Sequence, residues 1–321
     1  MYDVVALGEL VIDFTPIKLE KDEAPTFTQN AGGAPANVLA CASKLGIKTA
    51  MLSKISDDSF GNFLVNALKD IEVDTKGVVL SKYVDTSLAF VHLGDDGDRS
   101  FSFYRTKGAD KLITPDDIDF SLIEQSKIFH FGSLTLTDEP SRATTIEAAI
   151  FAKTKGKILS FDVNWRGSLW SDKNTGLLQI KNAIKYPHIV KMSSEELLMI
   201  AGGNDITKGM SNVMKYFPNI QILTVTMGKE GAYVANKSEI RHAPALQTVK
   251  AIDTTGAGDC FMGAFLYCII KSVQSFTDIP MDTLEKFALF ANCAAAICVT
   301  KNGAIPSMPT IEEIKKLILK D

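Results

Sequence analysis

The sequence predicts an α/β protein. It reads as one large domain over residues 1–321, built on a mostly parallel central sheet, with a small β-sheet inserted from two early segments at about 14–30 and 84–106. Three observations lead there. The chain opens on a buried-type strand, Val4-Val5-Ala6-Leu7, as helix-flanked parallel sheets do. From about residue 115, apolar runs of strand length alternate with segments of helix length. Residues 88–105 break that pattern: two alternating strands flank Gly94-Asp95-Asp96-Gly97-Asp98, a hairpin signal foreign to a parallel sheet.

Taken in order, the first strand runs into Gly8-Glu9. Asp13 follows close to its carboxyl end, where open α/β sheets place their ligands. Residues 14–30 mix Thr, Pro, Lys and Glu with some alternation and read as strands and loops of the small sheet. Asn30-Ala31-Gly32-Gly33-Ala34-Pro35-Ala36-Asn37 is a glycine turn into a helix, with Pro35 suited to the first helical turn and Gly46 to the C-terminal cap. A strand at 49–55 and a helix at about 62–71 come next. In the hairpin, Arg99, Phe101, Phe103 and Arg105 share one face, and Ser100, Ser102 and Tyr104 the other. Later strands fall at 128–131, 158–162, 189–192, 222–226 and 232–235, with helices at about 139–155, 173–184, 194–201 and 208–217. Residues 246–252 form an extended apolar run. It leads through Gly256-Ala257-Gly258-Asp259 into a buried apolar helix, residues 260–271. An Ala-rich helix at about 283–299 and an amphipathic one at about 310–319 complete the chain.

Composition narrows the function. The hydrophobic share of 46% and charged share of 22% are those of an ordinary globular protein. A net charge of −4 without a basic cluster argues against nucleic-acid binding. No apolar run reaches the roughly 18 residues of a membrane span. Cys41, Cys260, Cys268, Cys293 and Cys298 form no C-x-x-C pair and read as free thiols, most of them buried. With no signal peptide in view, a reducing cytoplasm is expected.

The turn at 254–259 carries the clearest chemistry. A helix start offers unpaired backbone N–H groups and the positive end of a dipole. Gly256, Ala257 and Gly258 have almost no side chain, so a bulky anion can approach closely. Asp259 stands at the same helix mouth. An isolated acid there commonly just complements the dipole, but this small-residue setting suits a base beside a phosphate or an oxyanion. Gly32-Gly33 alone reads as a tight turn, and Asn37 can donate to and accept from sugar hydroxyls. Thr226-Met227-Gly228-Lys229-Glu230-Gly231 lies between two strands, so it is not a dinucleotide fingerprint, and the Gly-Lys-Ser/Thr ending of a P-loop is missing. It is either a hairpin turn or a backbone platform against a nucleotide. In Asp162-Val163-Asn164-Trp165-Arg166, an Asp162–Arg166 ion pair competes with Arg166 meeting a phosphate. Ser193-Ser194-Glu195-Glu196 is either a helix N-cap with acids behind it or places Glu196 near Mg²⁺ through water. His92, His130, His188 and His242 show no metal-ligand spacing and read as structural.

With these residues in place the chain resembles the ribokinase-like (phosphofructokinase B-type) carbohydrate kinases over nearly its whole length. Gly32-Gly33-Ala34-Pro35-Ala36-Asn37 and Asp253-Thr254-Thr255-Gly256-Ala257-Gly258-Asp259 carry the resemblance, the second being highly specific. It implies a three-layer α/β/α sandwich whose small sheet serves as a lid, and ATP-dependent transfer of the γ-phosphoryl group to a sugar hydroxymethyl. Asp259 is then the general base, and the amides of Gly256, Ala257 and Gly258 form the anion hole. Asp13, Gly32, Gly33, Asn37, Asn164 and Arg166 face the sugar, with Phe101, Phe103 and Arg105 from the lid. Lys191, Ser193, Thr226, Gly228, Gly231 and Asn292 line the nucleotide site, Asn292 near the adenine. Glu196 serves Mg²⁺. An activating monovalent cation, K⁺, sits against Asp253, Thr255, Cys298, Lys301, Gly303 and Ser307, mostly through backbone carbonyls. Many relatives carry Asn-x-x-Glu where this chain has Ser193 and Glu196, which leaves the role of Ser193 open.

The segment Gly8-Glu9-Leu10-Val11-Ile12-Asp13-Phe14, the hairpin at 95–105 and Asp162-x-Asn164-x-Arg166-x-x-Leu169-Trp170 look most like the fructokinase branch. The expected acceptor is therefore the 6-hydroxyl of fructose, with 2-keto-3-deoxygluconate and ribose as alternatives. A non-catalytic sugar or nucleotide sensor is the competing class, and Asp259 speaks against it because a sensor needs no base. A nicotinamide oxidoreductase is disfavoured, since no glycine fingerprint follows the first strand and opens a helix. The expected partners are the sugar, ATP and a second copy of the chain; the Phe101/Phe103 face of the hairpin either covers the sugar or pairs with that copy.

Overall fold

The computed structural model describes residues 1–17, 26–93, 99–246, 250–272 and 275–319, with the side chains of 92, 93 and 99–101 outside that set. The strands are β1 (Tyr2–Leu7), β2 (Val11–Pro16), β3 (Phe27–Gly32), β4 (Thr49–Ser56), β5 (Val73–Ser81), β6 (Ser87–Leu93), β7 (Arg99–Tyr104), β8 (Ser126–Gly132), β9 (Ile158–Asp162), β10 (Ile189–Ser193), β11 (Ile222–Thr226), β12 (Ala232–Ala235) and β13 (Ile240–Ala243). The helices are α1 (Ala34–Lys44), α2 (Ser59–Lys69), α3 (Phe120–Glu124), α4 (Ser141–Thr154), α5 (Lys173–Ala183), α6 (Ser194–Ala201), α7 (Ile206–Tyr216), α8 (Ala257–Lys271), α9 (Met281–Cys298) and α10 (Ile311–Ile318).

The main sheet has the order β13-β12-β11-β10-β9-β8-β1-β4-β5. It is parallel from β5 to β11 and antiparallel across β12 and β13. Alternation along β1 explains the layering. Val4 and Ala6 join a core shared with α1, α8 and α9, while Val5 and Leu7 join one shared with α3 to α7. The result is the expected three-layer sandwich. Full burial of a large side chain such as Phe129 or Phe265 contributes about 1.5–3 kcal/mol.

The small sheet has the order β3-β2-β6-β7, with antiparallel pairs at its ends and a parallel β2–β6 pair between them. Its strands come from two separate parts of the chain, β2–β3 and β6–β7. Only Gly8-Glu9-Leu10 separate β1 of the main sheet from β2 of the small one. The predicted turn at 94–98 and residues 18–25 of the first segment lie outside the described residues.

Several boundaries moved for physical reasons. Helix α2 starts at Ser59 rather than near 62 because Asp58 accepts from the Phe60 and Gly61 amides. Helix α8 starts at Ala257 rather than at Cys260, which places Asp259 in its first turn. The run at 246–252 is not a strand in its described part. Ile252 is 60% exposed, and its amide and that of Asp253 donate to Val299 O at the end of α9. Strands β5 and β13 escaped the sequence reading because both are edges with mixed polarity. Among the described residues no helix is long and apolar enough to cross a membrane.

Candidate active site

Two helices bring the site together. Helix α1 begins after Gly33, whose φ of +114° and tight approach to the Glu9 carbonyl admit no side chain. Helix α8 begins after Gly256 in the left-handed region, φ +78°. Asn37, one turn into α1, donates its Nδ2 to Asp259 Oδ2 at 2.8 Å. Asn164, held at φ +39° in the loop after β9, donates to Asp259 Oδ1 at 3.1 Å. Asp259 is thus buried, and both its oxygens are aligned by side-chain amides. No described residue accepts from the amides of Gly256 or Gly258. Ala257 N–H donates to Thr254 O at 3.2 Å, so it is partly committed within the turn.

Three cavities meet at this turn. The first is lined by Glu9, Asp13, Asn37, Phe103, Arg166 and Asp259 among others. The second is an apolar groove between Thr226, Gly228 and Gly231 on one side and Ala257, Gly258 and Asn292 on the other. The third joins them, with Lys191, Ser193 and Glu196 opposite residues 254–259. Thr255, Gly256 and Asp259 are shared by the first and third, and Thr254, Ala257 and Gly258 by the second and third.

The electrostatics are set by burial. Burial pushes the Asp13 carboxyl up to about 7; Arg166 opposes the shift, and Asp259 and Asp253 add to it. Lys191 is buried and donates to both oxygens of Asp162, at 3.1 and 2.8 Å. Burial alone would depress its ammonium, but Asp162, Glu196 and Asp259 outweigh that and hold it charged. Its Nζ lies so close to Gly258 that an added Cβ would sit 2.8 Å away. A fixed cation therefore stands at the open amides. Glu196 is raised by burial against the pull of Lys191; its two oxygens accept from the Trp165 and Ser193 amides.

Residues 1–311 match the pfkB family carbohydrate kinases. The chain belongs to that family. It is a phosphotransferase with an alcohol group as acceptor. It is 40% identical to fructokinase-1 of Zea mays, over 99% of this chain and 98% of that protein. The structure superposes on a fructokinase of Xylella fastidiosa with bound ATP at a TM-score of 0.91, with 30% identity, covering 100% and 99% of the two chains. A Vibrio cholerae fructokinase holding fructose, ADP and a calcium ion gives a TM-score of 0.88 at 29% identity, covering 98% of each chain.

Within this carbohydrate kinase most of the expected site residues converge on the three cavities, but some do not. Arg105 is a correction. Its guanidinium is buried against Asp110, with Thr137 and the Leu134 carbonyl completing its bonds, so it braces the base of the small sheet instead of facing a sugar. The Asp162–Arg166 pair is also corrected: Asp162 belongs to Lys191, which leaves Arg166 in the first cavity. The side chain of Phe101 lies outside the described residues. Gly32 is set by Asp13, whose Oδ2 would lie 2.3 Å from an added Cβ. Asn292 donates to the Ala243 and Pro244 carbonyls, so it shapes the groove wall. Ser193 and Glu196 form a reciprocal capping box for α6, the ordinary reading of that motif. Asp253 accepts from the Thr255 and Gly303 amides at 2.7 and 3.0 Å. Cys298 meets Ser307, and Lys301 meets Glu313, so backbone carbonyls are what those two positions offer a cation. His130, bonded to Ser160, is held neutral by burial and by Lys191, its pKa pushed down to about 3. The residue that sequence reasoning missed is Glu9. It sits at the carboxyl end of β1, the same rule that singled out Asp13.

Proposed function

We propose that this carbohydrate kinase is a fructokinase, transferring the γ-phosphoryl group of ATP to the 6-hydroxyl of fructose to give fructose 6-phosphate and ADP. The observation that carries this reading is the turn at 254–259. It is the common wall of a polar acceptor cavity and an apolar groove, with Asp259 on the acceptor side and free amides between. Asp259 takes the proton of the 6-hydroxyl. The oxygen attacks the γ-phosphorus as the bond to the ADP oxygen breaks. The Gly256 and Gly258 amides, with Ala257 as a weaker third donor, and Lys191 stabilise the equatorial oxygens. Asn37 and Asn164 hold the base in register.

Glu196 suits Mg²⁺ through metal-bound water, because its two oxygens already accept backbone amides. Bound Mg²⁺ neutralises phosphate charge. Thr255, Cys298, Lys301, Gly303 and Ser307 suit K⁺, mostly through backbone carbonyls, beside the buried Asp253 carboxylate. Phe103 and the small sheet close over the sugar and keep water from the phosphoryl group. The aromatic cluster of Phe14, Phe27, Phe90 and Tyr104, on the sheet face opposite Phe103 and with Tyr104 66% exposed, suits a homodimer contact. The five free thiols fit a reducing cytoplasm.

Three acids, Glu9, Asp13 and Asp259, line the acceptor cavity against one cation, Arg166. Above about pH 7, where Glu9 and Asp13 have lost their protons, that balance favours a neutral sugar over the carboxylate of 2-keto-3-deoxygluconate. A coupled assay with ATP, Mg²⁺ and added K⁺ over a sugar panel tests the assignment. Fructose should give the highest kcat/KM; ribose or ketodeoxygluconate ahead by a wide margin would sink it.

A further inference from the structure

Glu9 takes no part in the transfer described above, yet it is the most buried of the three acids around the acceptor cavity, at 4% exposure. It lies in the short link from β1 to β2, clamped beneath the other glycine turn. A Cβ on Gly33 would sit 2.3 Å from the Glu9 carbonyl, and one on Gly8 would sit 2.3 Å from Pro35 Cγ. Its Oε1 accepts from Ala34 N–H at 2.8 Å. That bond satisfies a first-turn amide of α1, whose N-cap residue is glycine and supplies no side chain. Its Oε2 meets no hydrogen-bond partner among the described residues. Leaving a buried polar atom unpaired is costly, and native structures tolerate it chiefly where a ligand or water completes the bond.

The charged groups around Glu9 are Asp110 and Arg105 from the segment after β7, Asp13 on β2, Arg166 after β9 and Asp259 on α8. Burial pushes its carboxyl up to about 7; the amides of Glu9 and Ala34 pull it back, Asp110 adds to the shift and Arg105 opposes it.

We infer that Glu9 is a specificity-determining residue of the acceptor site: its free Oε2 accepts a hydrogen bond from a sugar hydroxyl other than the one phosphorylated, while Oε1 fixes the helix that carries Asn37. This rests on reading the cavity as a sugar site. Accepting a hydroxyl favours the ionised carboxylate, so sugar binding weakens as pH falls below about 7. Asp13 behaves alike. The acid limb of log(kcat/KM) for the sugar therefore approaches a slope of about two in the wild type.

The test is steady-state kinetics of full-length wild type, Glu9→Gln and Glu9→Ala with ATP and Mg²⁺, using the best sugar of the panel. Glutamine keeps an oxygen for Ala34 N–H and removes the charge. Glu9→Gln should raise the sugar KM about tenfold, with kcat and the ATP KM within about threefold, and should reduce the acid slope to about one. Glu9→Ala also removes the cap and should lower kcat as α1 and Asn37 loosen. A sugar KM within about twofold of wild type in Glu9→Gln, with an unchanged pH profile, overturns the inference. So does a joint rise in the sugar and ATP KM with a lower Tm, which marks a merely structural role. If Glu9→Ala fails to fold, Glu9→Gln alone decides. A wild type that phosphorylates no sugar of the panel overturns the kinase reading and this inference together, whereas an active wild type with an indifferent Glu9→Gln overturns this inference alone.

Discussion

Helices α1 and α8 both begin behind a glycine of positive φ, and both mouths open on the acceptor cavity. Neither glycine supplies a capping side chain. At α1 the protein closes the mouth itself, because Glu9 accepts the Ala34 amide. At α8 no described residue accepts from the Gly256 and Gly258 amides, and the Lys191 cation is parked beside Gly258. The same local geometry thus makes a fixed wall in one place and, in the function proposed above, an anion site in the other. The difference lies in which residue a neighbouring strand delivers to the helix mouth, not in the turns.

That contrast can be broken at several points. The largest effect is expected at Asp259, the acid of the open mouth. Asp259→Asn should cut kcat by about 10²–10⁴-fold for a lost general base, with substrate affinity largely kept. Wild-type-like turnover would remove Asp259 from the mechanism. Next comes the closed mouth. Gly33→Ala forces a Cβ onto the Glu9 carbonyl at a φ that side chains avoid, and should cost about 2–4 kcal/mol of stability, read by denaturant unfolding. The matching change in the open mouth, Gly258→Ala, meets only the flexible end of Lys191. It should leave stability nearly unchanged and lower kcat about tenfold by displacing the cation and crowding the phosphoryl group. If both alanines acted alike, on stability alone or on rate alone, the contrast would be wrong. The smallest effect concerns pH. The folded chain keeps Glu9 and Asp13 protonated up to about 7, whereas the unfolded chain releases those protons near 4. Folded-state proton excess means stability falls as pH rises through that window. The Tm of the ligand-free enzyme should be lower at pH 8 than at pH 6, and Asp13→Asn should flatten the difference.

Much of this was legible in the chain because the chemistry is local. Small residues and an acid must be contiguous to make the α8 mouth, so residues 253–259 announce themselves. The hairpin and the helix–strand alternation are equally local. What stayed hidden depends on partners far apart in sequence. Arg105 shares a face with Phe103 in the strand pattern, but Asp110 just past the strand, together with the distant Leu134 and Thr137, decides where it points. Lys191 and Asp162 face each other only because β9 and β10 are neighbours in the sheet. Glu9 looks like any strand-end acid until the Gly33 turn folds over it. Strands β5 and β13 were missed because edges need no apolar run.

The connectivity of the small sheet has a mechanical consequence. The chain crosses between the two sheets four times: after β1, after β3, between β5 and β6, and after β7. A plate pinned by four tethers cannot flap like a loop; any motion it makes is that of a whole body about its anchor points. One of those anchors is Gly8-Glu9-Leu10. Any tilt is therefore geared directly to the residue that touches both the cavity and the first turn of α1.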